Sequence, residues 1–544
     1  KSQGNAMMED KNVQPTASAE GAGGGRKRPR RDSPPPHNPT VSISSAPPPP
    51  AAPRCPYLDT IDRAVLDFDF ERLCSVTLAS SHVYGCLVCG RFFAGRGQGT
   101  QAYLHSLDAG HCVFVELSTG RFYCLPDGYE VVDGGLDDIR EALDPRYGHV
   151  GEPGGRVGLV LDSSSALSRD LFGRRYLPGY IGLNNLGKTD YVNAAMQALA
   201  HVGPVRDYFL LTSRNGAREA RWTPLALRFG ELMRKMWSDR RFKSNVDPHE
   251  MVQAISTASK KRFHINRRAD VSEFLSWFLN NLHTGIGGTR KPGSSVVHKA
   301  FQGFVDVTTR QRRRIGALDR AALRAAANDD RLGSDDEEGG GASAPTAASR
   351  AAATEVKEST SRTPFLMLTF DIPERPLFKD DTQGGVVIPQ EPLFNILRKF
   401  DGEGGYRLRK LPDYLILVLK RFRRNNFATE KNPTIVTFPV KNLDLENYVF
   451  SQPGSGKGTP AAVPRALANK YDLVANICHD SPAEVGREGR HDPLEDGSYR
   501  CHVKDGASKQ WYEMQDLHVM ETMPQLIGLS ESFVLVFERK RLGG

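Results

Sequence analysis

The chain has 544 residues, too many for one ordinary domain, and its 39% hydrophobic content is below that of a fully packed protein. A formal charge of +8 is modest for this length and permits a nucleic-acid neighbour without requiring one. The eight cysteines run from Cys55 to Cys501 with six before residue 125, which excludes a secreted disulfide framework and points to metal binding in a reducing compartment. No apolar run has membrane-spanning length and no signal-peptide core stands at the N-terminus, so the chain reads as soluble and intracellular, with no membrane partner. In chain order, residues 1–53 are rich in Ala, Gly, Ser and Pro and bury too little apolar area to offset their ordering entropy; they are expected to be a disordered tail. Within it, Arg26-Lys27-Arg28-Pro29-Arg30-Arg31 reads as a nuclear import signal, or more plainly as a solvated charge run.

Residues 54–143 have globular composition, with strand-like runs at Val113–Leu117, Arg121–Cys124 and Tyr129–Val132. Residues 144–178 read as a connector, and 179–541 as a large second domain. That domain is interrupted at 316–362 by an Ala/Gly/Ser stretch holding Asp335-Asp336-Glu337-Glu338, expected to be disordered, and at 451–465 by a surface loop. Tyr191, Ala195, Ala198, Leu199 and Val202 recur at the spacing of one helical face.

Cys86 and Cys89 bracket two residues, and His105 and His111 follow. Two thiolates and two imidazoles suit one closed, tetrahedral structural Zn2+; buried free cysteines beside surface histidines is the plainer reading. The pattern imitates a DNA-reading finger, but it is single and leads into strands rather than a second finger. Gly182-Leu-Asn-Asn-Leu-Gly187-Lys188-Thr189 matches a phosphate-loop pattern. The preceding Arg174–Tyr180 is charged and Pro-interrupted, and no apolar strand ending in Asp stands nearby, so no nucleotide is expected.

The stretch Gly182–Gln197 resembles instead the nucleophile box of the ubiquitin-specific proteases. Arg268-Ala-Asp-Val-Ser-Glu-Phe-Leu275 resembles the family's acidic helix start, and Leu411–Ile416 with Leu419–Phe422 a palm strand. Tyr471–His479, Gly497-Ser498-Tyr499, Trp511-Tyr512 and Asp516 resemble its histidine box. Cys86-x-x-Cys89-Gly90, Gly95-Arg96, His105, His111 and Phe122-Tyr123-Cys124 resemble the family's UBP-type zinc finger. The resemblance implies an α+β protein: a small zinc-bound finger followed by a papain-like domain of fingers, palm and thumb. It also implies that Asp190 stands where the thiolate nucleophile would be and Ser498 where the general-base histidine would be. Asp516 matches the residue that orients the histidine, and Asn185 the oxyanion-hole position.

A thiolate at a helix N-terminus is sharpened by the positive helix end; a carboxylate there is merely stabilised, and Asp190 is expected to cap the helix. A serine hydroxyl without a base can neither activate a nucleophile nor protonate a departing amine. His479 falls at a non-triad position and His491 in a hydrophilic loop, so hydrolysis is not expected. A hydrogen bond between Asp190 and Ser498 across the old cleft is the expected replacement. No cysteine lies between Asp190 and Lys470, so the fingers subregion must hold itself by apolar packing. Of the ubiquitin-pocket residues the resemblance carries over Arg96 alone, a plain surface arginine being the other reading, and residues 54–143 contain no Trp to complete that pocket.

The finger, the connector and a core with Asp and Ser in the two catalytic places are together similar to the inactive splicing-factor branch of this family. So are the strings Cys55–Ile61, Leu66–Phe70, Phe274–Leu279 and Lys431–Val436. This resemblance implies a nuclear scaffold of pre-mRNA splicing with spliceosomal tri-snRNP proteins as partners. Two other classes remain open from the residues: a ubiquitin receptor, and an RNA binder acting through Arg310–Arg314 and Arg421–Arg424, whose bland reading is a pair of solvated cationic faces.

Overall fold

The computed structural model describes residues 55–147, 166–212, 219–314, 354–373, 388–400, 405–424, 429–449, 469–481 and 492–540. The segments 26–31, 335–338 and 451–465 and His491 lie outside them. The described residues form one compact unit.

The N-terminal part is a five-stranded antiparallel sheet made by β1 (Val83–Cys86), β2 (Phe92–Ala94), β3 (Val113–Glu116), β4 (Phe122–Cys124) and β5 (Tyr129–Val131), in the order β2-β1-β3-β4-β5. The three strands expected from alternation are the last three. Helix α1 (Gln101–Ala109) crosses between β2 and β3, and α2 (Asp137–Leu143) closes the unit by burying Ile139 and Leu143.

The second part begins with a helical thumb: α3 (Asp190–Ala200), α4 (Gly203–Thr212), α5 (Pro224–Trp237), α6 (His249–Ala258), α7 (Val271–Gly285) and α8 (Val296–Phe301). Helix α7 shows the local logic. Asp270 caps it, accepting from the Ser272 and Glu273 amides, and Val271, Phe274, Leu275, Phe278, Leu279 and Leu282 recur at helical spacing and are all buried. Helix α3 departs from the expected single apolar face, since all eleven of its residues are buried. It lies between the other thumb helices and a sheet, so its small residues (Ala194, Ala195, Ala198, Ala200) admit close neighbours on every side.

The fingers subregion is an antiparallel hairpin of β6 (Gly303–Arg314) and β7 (Thr354–Phe365), followed after β8 (Leu368–Asp371) by β9 (Tyr406–Lys410), which pairs with β6. The expected disordered insertion 316–362 is therefore too long. Residues 354–362 form part of β7 in register with β6, because twelve paired residues satisfy their backbone groups without an apolar face. Asp306 at the root of the hairpin is buried and ion-paired with Arg362 (3.0 Å) and Arg409, so polar contacts as well as Val305 and Leu408 hold this region.

The palm comprises β8 with β10 (Tyr414–Lys420), β11 (Lys470–Asp480), β12 (Ser498–Lys504), β13 (Trp511–Gln515), β14 (His518–Thr522) and β15 (Ser532–Arg539), ordered β8-β10-β15-β11-β12-β13-β14. Only β8 with β10 is parallel. Strand β10 is apolar throughout because it is covered on both faces: Tyr414, Ile416 and Val418 pack with the thumb, while Leu415, Leu417 and Leu419 pack into a second core with Leu473, Trp511 and Leu535.

Finger and core are joined by charge. Asp69, just ahead of the finger sheet, is 7% exposed and pairs with Lys235 (2.9 Å) and Arg241 (3.4 Å) of the core, and it accepts from the Asp247 amide (3.2 Å). Asp67 pairs with Lys243, and Lys235 also donates to the Phe68 carbonyl (2.8 Å). Burial alone would raise the Asp69 pKa; the two cations hold it down to about 2.

Candidate functional site

In the finger, Cys86 leaves β1, Cys89 follows in a tight turn, His105 projects from α1 and His111 follows the Gly110 end of that helix. The turn requires Gly90 (φ +73°), where a Cβ would lie 2.3 Å from the Val65 carbonyl oxygen. The four donor atoms all lie within 4.8 Å of one another. Cys86 Sγ to His111 Nδ1 is 3.6 Å, Cys89 Sγ to His105 Nε2 is 3.4 Å, and the two imidazole nitrogens are 3.1 Å apart. Tetrahedral bonds of about 2.3 Å to sulfur and about 2.0 Å to nitrogen demand S···N edges near 3.6 Å and N···N edges near 3.3 Å. The donor set fits such an ion. Phe93 stacks on His105 at 4.1 Å and fixes the ring plane. Arg96 lies over the Tyr123 ring at 4.4 Å, on the same side of the sheet as Tyr84.

At the old cleft, Asp190 is the first residue of α3, not its cap; Thr189 holds the cap position without a side-chain cap bond. The carboxylate is drawn sideways instead. It is 2% exposed, accepts from Arg268 Nε (2.8 Å) through one oxygen, and accepts from the Tyr499 amide (2.8 Å) through the other. Arg268 in turn donates to the Glu495 carbonyl. The expected bond to Ser498 is thus displaced by one residue onto the main chain of β12, and Ser498 Oγ accepts from Gln515 Nε2 (3.2 Å). Strand alternation explains the shift: the Tyr499 side chain packs in the thumb-side core, so that of Ser498 is turned to the other face.

Asp516 sits in left-handed backbone (φ +52°) and accepts from Asn193 (2.8 Å) and Asn185 (3.0 Å), while burial pushes its pKa up. Asn185 spends its amide on Asp516 and its oxygen on the Gly187 and Thr189 amides (3.1 Å each). The residue expected at an oxyanion-hole position therefore points its donor into a structural bond. In the phosphate-loop look-alike, Lys188 pairs with Glu495 (2.7 Å) and the buried Thr189 hydroxyl bonds Asn185 (3.1 Å).

His479 is fully buried, edge-on to Tyr499 (4.6 Å) and Phe422 (5.0 Å), and neither ring nitrogen has a hydrogen-bond partner among the described residues. Burial, with Lys431 and Arg268 adding repulsion, drives its pKa down to about 2. Gly497 must be glycine here, since a Cβ would lie 2.2 Å from the imidazole. A neutral ring so enclosed cannot shuttle protons to the cleft.

A thiol–imidazole pair does exist, and the sequence motifs missed it. Cys478 Sγ lies 3.6 Å from His502 Nδ1, and His502 Nε2 lies 3.0 Å from Glu513. Burial opposes charge on His502, but the sulfur and the carboxylate hold its pKa up, to about 9. Strand register sets it on the palm face opposite α3: Cys478 alternates with Ile477 and His479, and His502 with Cys501 and Val503, which face the thumb. Cys478 is fully buried and His502 is 2% exposed, so no peptide reaches them. Period-two spacing of 476, 478, 500 and 502 was the available signal. Of the basic runs, Arg421 is fully buried and donates to the carbonyls of Ser532 (2.7 Å), Asn432 (2.9 Å) and Thr434 (2.8 Å), so it is a structural pin rather than a solvated or phosphate-reading cation. Arg423 and Arg424 are exposed, and Arg310 pairs with Glu358 (2.7 Å).

A finger leading into a thumb, palm and fingers core with its cleft facing α3 defines a class. The family model described as "Ubiquitin carboxyl-terminal hydrolase" matches residues 181–537, and "Zn-finger in ubiquitin-hydrolases and other protein" matches 74–136; the chain belongs to the ubiquitin carboxyl-terminal hydrolase family. Within it, the chain is 42% identical over 506 residues to mouse "Ubiquitin carboxyl-terminal hydrolase 39", covering 89% of this chain and 80% of that one. It is 37% identical to "Probable mRNA-splicing protein ubp10" of Schizosaccharomyces pombe (89% and 88% covered) and 26% to "Pre-mRNA-splicing factor SAD1" of Saccharomyces cerevisiae (90% and 94%). Among solved structures it is similar to "Crystal structure of an essential yeast splicing factor", with a TM-score of 0.64, 26% identity, and 89% and 100% of the two chains covered.

Proposed function

We propose that this protein is a non-catalytic pre-mRNA splicing factor of the nucleus, a scaffold that contacts spliceosomal snRNP proteins during tri-snRNP assembly or maintenance. The observation that carries this reading is the saturated carboxylate of Asp190. Where cleavage of an isopeptide bond needs a free thiolate beside an imidazole, this chain has an acid bound by Arg268 and by the main chain of β12, with Ser498 alongside. The names of two relatives that span nearly the whole chain supply the splicing assignment. Cys86, Cys89, His105 and His111 hold one structural Zn2+ in this reading, and the ion supplies folding free energy to the finger rather than chemistry.

The test is affinity purification of the full chain from nuclear extract followed by mass spectrometry. Co-purification of snRNP proteins is expected. Recovery of ubiquitin conjugates without splicing proteins would replace the scaffold reading with a ubiquitin receptor.

A further inference from the structure

At the end of the palm sheet remote from the cleft, a cavity of about 530 Å3 opens between α4, the ends of β12 and β15 and the start of β11. Along β12, six residues separate Ser498 at the cleft from Lys504 at this cavity, roughly 20 Å of strand. Its volume falls in the range of small-ligand sites.

The lining is cationic and aromatic. Arg206, Lys504, Lys509, Arg539 and Lys540 contribute to it, against Asp472 and Glu538. Three of the cations are paired, Lys540 with Asp472 (3.5 Å), Arg206 with Asp207 (2.8 Å) and Arg539 with Asp413 (3.6 Å), while Glu538 accepts from the Tyr414 hydroxyl (2.7 Å). Burial pushes the Lys504 ammonium below its ordinary range, and Lys509 and Lys441 add repulsion. Gly203 at the start of the ten-residue α4 also lines the cavity, adding the positive end of a helix. Trp237, 4% exposed, lines the same cavity, and Arg206 lies 4.8 Å over its ring. Lys504 and Lys509, which meet no carboxylate within 4 Å among the described residues, call for an anion with several acceptor oxygens.

We propose that this cavity binds a small, multiply charged oligophosphate or phosphate ester. Phosphoryl oxygens bridge Lys504 and Lys509, relieving their mutual repulsion. The site is independent of the degenerate cleft and of the splicing assignment.

The test is isothermal titration of the full chain with inorganic tripolyphosphate and, separately, inositol hexakisphosphate at fixed ionic strength. Saturable one-to-one binding is expected, weakened at least tenfold in Lys504→Glu/Lys509→Glu. Lys509 is exposed, so Lys509→Glu alone keeps the fold and must also weaken binding. Arg424→Glu, an exposed cation outside the lining, must not. Absence of binding at millimolar probe, or equal affinity in the wild type and the Lys509→Glu chain, would overturn the assignment. Tripolyphosphate binding alone identifies a linear oligophosphate site, and hexakisphosphate binding alone a phosphate-ester site.

Discussion

Replacing Asp69 by Asn removes one charge from the joint between finger and core while keeping the side-chain shape. The carboxylate is 7% exposed and its pKa is held at about 2 against an ordinary 3.8, by Lys235 at 2.9 Å and Arg241 at 3.4 Å. A depression of nearly two units corresponds to roughly 2.5 kcal/mol at neutral pH. Two partly buried cations left without their counter-ion push the loss toward the 3–5 kcal/mol found when one member of a buried pair is deleted. The sign follows from the depressed value: the stabilisation is complete above about pH 4 and disappears as pH falls from there toward 2. Guanidinium denaturation of wild type and Asp69→Asn, followed by tryptophan fluorescence between pH 7.5 and 3.5, is the assay. The difference should be constant at 2 kcal/mol or more from pH 7.5 to 5 and shrink below pH 4. A difference under 0.5 kcal/mol at neutral pH, or one that does not shrink in acid, refutes the ionic account of the joint.

Arg268→Met should cost about 3–5 kcal/mol, because it strands the Asp190 carboxylate in the interior; thermal unfolding with an intact finger checks it. Asp190→Cys, like the wild type, should leave turnover of a ubiquitin C-terminal reporter at the buffer blank, since Ser498 supplies no base and His479 is neutral and enclosed. Removing zinc with a chelator, or Cys89→Ser, should unfold the finger and release about one ion per chain, read by atomic absorption and loss of the finger's sheet signal. The raised pKa of His502 contributes stability that is present below about pH 6.5 and lost as pH rises through 9; Glu513→Gln should flatten that alkaline slope in denaturation curves.

Patterns that are local in sequence carried much of this architecture. The metal spacing and the finger strands each depend on residues close together in the chain and stand where the sequence pattern put them, while the helix start at Asp270 came from the family resemblance. Relations across the chain were harder to read. Asp190 chose its partners 78 and 309 positions away, so its place at the helix start was legible but its bonds were not. Arg421 looked like part of a surface charge run, and only the closing of β10 against β15 shows that three carbonyls claim it. Cys478 and His502 meet because of strand register, which no motif spells out. The far end of the 316–362 segment is polar enough to read as coil, yet a long hairpin can stand on backbone pairing.

The ionic joint at Asp67 and Asp69 makes the finger and thumb a caliper of fixed opening. Neighbours gripping opposite jaws are held at one spacing whatever the length of the 144–178 connector, so extending that connector should leave an assembly's dimensions unchanged, whereas breaking the joint lets the jaws wander.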